Sequence, residues 1–243
     1  VDPINVVLQS FIKTFKFPAW AIKTNMERVL PVLFSPGKVS GDLSSRTDVD
    51  VNYGLETGTV AMTLLYFVMY LTTFILMLSL TSNLSFAAAP EMKYIMPLMM
   101  LLMIVIELPI AVAMTLLFSF IGVGAIWWVG KKLGGKTEFG RFYGTLMPLV
   151  SLMIIIYSLS ALIFMAAMMN QMFSDNVDSV SNTFKIFVPI LFGMHLLWLI
   201  YLTIFTEKAH GIPKIKALIS CIIPLSPFIL IGIMQALMFT RGF

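Results

Sequence analysis

Apolar residues in this chain change their spacing near residue 58: before it they recur with a helical period, and after it they run almost unbroken. Ile4, Val7, Leu8, Phe11, Ile12 and Phe15 fall on one stripe of a helix, with Asn5, Gln9, Ser10, Lys13 and Lys16 opposite. Pro18 interrupts that pattern, because proline has no N–H and clashes with the preceding turn. A second stripe follows in Ile22, Met26, Val29, Leu30 and Leu33, with Lys23, Asn25, Glu27 and Arg28 facing away. Neither piece is long or apolar enough to span a bilayer. Both predict interfacial amphipathic helices over 1–34, with Trp20 as an anchor and lysines towards anionic lipid. The alternative is that they pack on the protein's own loops. Over 35–57 the composition turns to Ser, Gly, Asp and Asn, which reads as a polar linker.

Five apolar stretches make up 58–243, at about 58–80, 95–129, 146–169, 186–205 and 217–239. Four have the length a helix needs to cross a hydrocarbon core of about 30 Å. The second, 95–129, would reach about 52 Å at helical rise, so it tilts, extends beyond the bilayer or breaks, with Pro109 the natural place for a kink. The fold class expected is all-α: a polytopic membrane protein with five transmembrane helices behind N-terminal interfacial helices. "GTLMPLVSLMII" from Gly144 and "SCIIPLSPFILI" from Ser220 both place Pro-Leu early in a span, as two parallel hairpin repeats would.

Composition agrees: 59% of residues are hydrophobic, 12% are charged and mean hydropathy is +0.94. Soluble domains carry about 25% charged residues, so a water-soluble core is excluded. Of 16 Lys and Arg residues, 13 lie on one side of a chain crossing five times, and only Lys93, Lys185 and Arg241 lie on the other. The positive-inside rule then predicts a cytoplasmic N-terminus and an outer C-terminus. The basic residues flank apolar spans without a basic face or stacking motif, so nucleic acid is not a partner. Cys221 lies inside a span, so no intrachain disulfide is possible and it reads as a small hydrophobe. The first 30 residues lack the unbroken apolar run of a secretory signal, and a few residues could precede Val1.

The loop "GKKLGGKTEFGRFYGTLMPL" from Gly130 resembles that of the YIP family, the Ypt/Rab-interacting integral membrane proteins, in its prokaryotic style. The matching positions are Leu133, Gly134, Gly135, Lys136, Phe139, Tyr143 and Pro148. "VLFSPGK" before the linker looks like the family's opening proline segment. "WLIYLTIFTEKAHGIPKIKALISCIIP" looks like its closing hairpin, with Lys216, Ala217 and Pro224 in place. The chain departs from eukaryotic members in "DVNYGLETG" from Asp50, where they carry a "DLYGPFW"-like entrance to the first span. The resemblance implies five spans, no catalytic residues and a prokaryotic cell membrane, and it leaves a Rab-binding role in doubt.

Candidate chemistry is sparse. Glu107 is an ionisable residue in a span, and such a residue is a functional candidate by default. It lies about 36 Å up a straight helix from Lys131, near the outer interface. His195 is deeper, about 20 Å from Lys208, and reads first as a neutral imidazole bonded to another helix, with a proton relay as the alternative. Their different depths argue against pairing them.

"GKKLGGKT" matches the Walker A string, but it lacks the strand and the acidic partner that a phosphate loop needs. Lipid-phosphate or partner contact by Lys131, Lys132, Lys136, Arg141, Lys208, Lys214 and Lys216 fits the pattern better. "MPLMMLLM" from Met96 is too poor in His and Cys for a copper path, so no metal or cofactor is expected. Asn83-Leu84-Ser85 is a glycosylation sequon close to the membrane.

The function expected is therefore non-enzymatic: an integral membrane protein that organises a membrane or a membrane complex through its cytoplasmic face. Its partners would be anionic lipid headgroups and at least one membrane protein. The alternative is a transporter or channel component with Glu107 and His195 near a solute or proton pathway.

Overall fold

The computed structural model describes residues 2–83, 92–172 and 177–240. Within them the chain is helical: α1 (Pro3–Lys16), α2 (Pro18–Arg28), α3 (Leu30–Phe34), α4 (Pro36–Ser45), α5 (Val51–Asn83), α6 (Met92–Lys132), α7 (Phe139–Met172), α8 (Val177–His210) and α9 (Lys214–Thr240). Prolines set the N-terminal punctuation. Pro3, Pro18, Pro31 and Pro36 each occupy the first turn of a short helix, where the missing N–H leaves no carbonyl unpaired. Asp2 caps α1 by accepting from Ile4 N–H at 3.0 Å, and Asp50 does the same for α5 through Tyr53 N–H at 3.0 Å.

Four helices among the described residues are long and apolar enough to cross a membrane: 51–75, 104–132, 139–167 and 189–210. Between 17% and 39% of each apolar window is buried, so most of the apolar surface faces outward, as lipid contact requires. Ile110, Phe118, Ile121, Ile163 and Phe192 are among the exposed positions. The buried core instead joins α5, α7 and α8 at the basic end, around Met62, Phe142, Tyr143, Met147 and Phe205.

The tightest approach is between α5 and α7. A Cβ on Gly54 would lie 2.8 Å from the Tyr143 ring, one on Gly58 would strike Met147, and one on Gly144 would strike the Asp50 carbonyl. Small residues one turn apart let helix backbones close in this way.

Two expectations change and one is narrowed. The stretch 35–57 holds α4 and the first two turns of α5, so the first long helix begins at Val51 instead of residue 58. Its polar composition conceals a packed helix: Ser40 and Leu43 are buried, a Cβ on Gly37 would lie 3.9 Å from Ile204, and Tyr201 Oη donates to the Leu33 carbonyl at 3.0 Å. The second apolar stretch does not break at Pro109; α6 is one helix of 41 residues, about 62 Å long, which must tilt or project beyond the bilayer. The second N-terminal stripe is divided at Val29 into α2 and α3.

On α1 the buried positions are Ser10 and Thr14, whereas Ile4, Leu8, Ile12 and Phe15 are exposed. Pro148 and Pro224 both lie inside helices. Most of the sequon at Asn83, and Arg241, fall outside the described residues.

Replacing Gly144 by Ala should destabilise the protein by about 1–3 kcal/mol, because the clash is with backbone that cannot rotate away. Gly41→Ala, on an α4 face with nothing within 4 Å of the new methyl, should be neutral or up to about 1 kcal/mol stabilising. Thermal unfolding of both purified variants in detergent checks the contrast.

Candidate functional site

The two basic turns, after α6 and after α8, form one structure. α6 ends in a left-handed glycine cap: Gly134 has φ +104°, Gly134 N–H donates to the Lys131 carbonyl, and Gly135 N–H donates to Gly130 at 2.9 Å. α8 ends the same way at Gly211, with φ +64° and its N–H on the Glu207 carbonyl at 2.8 Å. The turns are then tied across the sequence. Thr137 Oγ1 donates to the Ala209 carbonyl and Lys216 Nζ to Leu133 at 3.0 Å, while Trp127 Nε1 braces the first turn on the Thr137 carbonyl at 2.9 Å. Lys131 Nζ closes its own turn on the Lys136 carbonyl at 3.1 Å.

His210 fills the space between the two turns. Its side chain is buried, and its ring stacks on Phe142 with centroids 4.3 Å apart. A Cβ on Gly130 would lie 2.6 Å from Nε2, and one on Gly135 would lie 2.5 Å from Nδ1. The backbone of Trp127 approaches the ring, but neither ring nitrogen reaches a partner at hydrogen-bonding geometry. This packing explains the Walker-like string: Gly130 and Gly135 are spaced to hold an imidazole. The amides of Leu133, Gly134 and Gly135 all serve the helix cap, so none is left to cradle a phosphate.

The predicted basic residues divide into two groups. Lys131, Lys132, Lys136, Lys208, Lys214 and Lys216 are exposed on and around the joined turns. None of the six has a carboxylate partner among the described residues, where the ion pairs are Lys23–Glu27, Arg28–Glu56 and Arg46–Asp48. Arg141 is half-buried and points elsewhere, donating to the Arg46 carbonyl at 2.9 Å.

The intramembrane candidates are held on different helix pairs. Glu107 is half-buried on α6 and lies beside Tyr70 of α5. His195 is exposed on α8; its Nδ1 lies 2.7 Å from the Leu191 carbonyl of its own helix, and its ring packs 4.9 Å from Tyr157 of α7. Its hydrogen bond is therefore within the helix and not across to a neighbour. Cys221 is buried, with Sγ 3.5 Å from Thr206 Oγ1.

Two features had no signal in the sequence. His210 sits in a loop-like "KAHGIP", and its sockets lie about 75 residues away in the chain. The other is an open cleft of about 500 Å³ beside α1, whose lining includes Asn5, Val6, Gln9, Lys13, Arg28, Tyr53 and Glu56. There Arg28 pairs with Glu56 at 2.9 Å and lies 4.5 Å from the centre of the Tyr53 ring. Nearby, the Arg46 guanidinium hydrogen-bonded to Asp48 holds that carboxyl below the usual carboxylate range. Glu56 sits in the stretch read as linker and Arg28 on a helix read as interfacial, so nothing local linked them.

The Yip1 domain family model matches residues 32–236 of the chain. No curated protein and no solved structure matches it.

Gly130→Ala should destabilise the chain by about 1–3 kcal/mol through the clash with the His210 ring. In a His210→Ala background the same substitution should cost much less, and the double-mutant cycle in thermal unfolding measures that coupling.

Proposed function

Because the chain belongs to the Yip1 family of membrane proteins, we propose that it is a non-catalytic organiser of a membrane or a membrane-protein complex, acting through its basic end. In this reading α5 to α9 all cross the bilayer, the basic end is cytoplasmic and the C-terminus is outside. The charge distribution supports the orientation: 13 of 16 Lys and Arg residues gather at that end. A prokaryotic cell membrane remains the setting proposed.

The observation that carries the reading is the joined pair of turns. Hydrogen bonds between distant residues hold six exposed lysines on one platform, with no carboxylate partner for any of them among the described residues. Such a surface offers an anionic headgroup layer, or an acidic face of a partner, about 1 kcal/mol per lysine.

The N-terminal helices extend this surface. The exposed stripe of Ile4, Leu8, Ile12 and Phe15 would enter the acyl boundary, and Phe15 meets the outward-facing Phe67 of α5 with centroids 5.7 Å apart. Lys13 lies 3.7 Å from the centre of the Trp20 ring, which suits a headgroup anchor. Arg141 and Lys38 belong to the same face but are not part of the platform.

Purification from native membranes tests this reading. The chain should bring down a stable protein partner together with anionic lipid. The variant carrying Lys132→Gln, Lys136→Gln, Lys208→Gln and Lys214→Gln should lose most of both, because these four side chains take no part in the hydrogen bonds that join the turns. Equal recovery of partner and anionic lipid by the variant would falsify the assignment to this surface.

A further inference from the structure

Two of the platform's lysines are held differently from the rest. Lys131 stands at the end of α6 and Lys216 in the first turn of α9, yet both close on the same turn of chain. Lys131 Nζ donates to the Lys136 carbonyl at 3.1 Å, and Lys216 Nζ to the Leu133 carbonyl at 3.0 Å. Those carbonyls stand on either side of Gly134 and Gly135. An ammonium group has three donors, and one carbonyl occupies one of them. Lys131 and Lys216 therefore each keep N–H groups free to face outward. Their charge is unopposed among the described residues, because the carboxylates nearest in sequence, Glu138 and Glu207, pair with neither.

Gly134 leaves the space beside these ammonium groups open. It is exposed at φ +104°, a backbone conformation that favours glycine, and a Cβ there would lie 4.0 Å from Lys216 Nζ. A longer side chain would cover the charge.

The surroundings of the turn tell where its ligand comes from. Trp128, one helical turn before Lys132, is 58% exposed, and its ring centre lies 5.7 Å from Lys132 Nζ. On α9, Ile215 stands between Lys214 and Lys216 and is 63% exposed, with Ile219 and Ile223 exposed further along. Apolar and cationic side chains thus interleave around the turn. A headgroup layer accepts both kinds at once, with aromatic rings at its own level and lysine stems along apolar surface. An acidic protein face matches only the lysines.

We propose that Lys131 and Lys216 together bind the phosphate monoester of an anionic lipid, the phosphate over Gly134 and the acyl chains on the apolar flank of α9. A phosphate monoester carries a charge of about −1.5 to −2 near pH 7 and has three acceptor oxygens. It balances two ammonium groups and accepts charge-assisted bonds from both. The phosphodiester of a common headgroup has lost one charge and one terminal oxygen to its second ester bond, so it balances only one of the two. This inference rests on the platform reading and adds which phosphate is selected and which two lysines select it.

Native mass spectrometry of the purified full-length chain in detergent tests it. Dioleoyl phosphatidate carries a monoester, dioleoyl phosphatidylglycerol is an anionic diester, and dioleoyl phosphatidylcholine is a zwitterion. The wild type should bind phosphatidate about tenfold or more tighter than phosphatidylglycerol, as added hydrogen bonds to a charged group do. Lys131→Gln with Lys216→Gln should abolish that preference. Lys208→Gln with Lys214→Gln should weaken both anionic lipids alike and keep their ratio. Equimolar glycerol phosphate, which has the monoester without acyl chains, should not displace phosphatidate.

Equal affinity of the wild type for phosphatidate and phosphatidylglycerol overturns the proposal, and this comparison needs no variant to fold. So does a preference kept by the Lys131 and Lys216 variant, or displacement by equimolar glycerol phosphate, which assigns the turn to a soluble ligand. Equal binding of the two anionic lipids leaves the platform reading intact, whereas no preference for either of them over phosphatidylcholine removes both.

Discussion

Where α7 enters the bundle, four consecutive residues each fix a different neighbour. Arg141 donates to the Arg46 carbonyl and so holds the chain between α4 and α5. Phe142 stacks on His210 and holds the end of α8. Tyr143 lies against Gly54, and Gly144 lies against the backbone of Asp50. The last two contacts are the governing constraint, because they bring two helix axes to a distance that a larger side chain at Gly54, Gly58 or Gly144 would forbid. With α5 and α7 locked at that distance, the rotation of α5 is fixed, and so is the direction in which its polar residues look.

That constraint joins the two ends of the molecule. At the basic end it places Phe142 where His210 can stack, and His210 in turn occupies the sockets at Gly130 and Gly135. The two turns then act as one platform, since each is a glycine-capped helix end whose amides are satisfied internally and whose lysines are left outward. Deeper in the bundle, the same rotation of α5 turns Tyr66 and Tyr70 towards Thr115 and Glu107 of α6. The joined turns at the basic end and the meeting of Tyr66 with Thr115 are thus two consequences of one helix contact.

How far the sequence could be read depended on the range of the interaction involved. The helical period of 4–15 and the proline at 18 were enough to locate α1 and its end, because both are local properties. The polar stretch 35–57 concealed α4, whose stability comes from Ser40 and Leu43 buried in a helix packed on α8, more than 100 residues away. The Walker-like string was legible as letters, but its meaning was not: Gly130 and Gly135 are spaced for a histidine that the string does not contain. Glu107 stood out as a lone intramembrane charge, yet its neighbour Tyr70 looked like one more aromatic in a span. His195 stood out equally and proved to be bonded within its own helix.

The amino-acid sequence alone determined that this protein lives in a membrane, where its main apolar helices lie and which turns carry its positive charge. Those are matters of partition and charge placement, which act on each segment by itself. Only the tertiary structure decided which helix faces meet. It joined the two basic turns through a histidine, set Glu107 beside Tyr70 and His195 beside Tyr157, and left Thr59 and Thr63 buried without partners. The reason is geometric. Inside a bilayer one apolar face is as acceptable to lipid as another, so hydrophobicity cannot choose the contacts, and close packing of glycines and pairing of polar groups must do so.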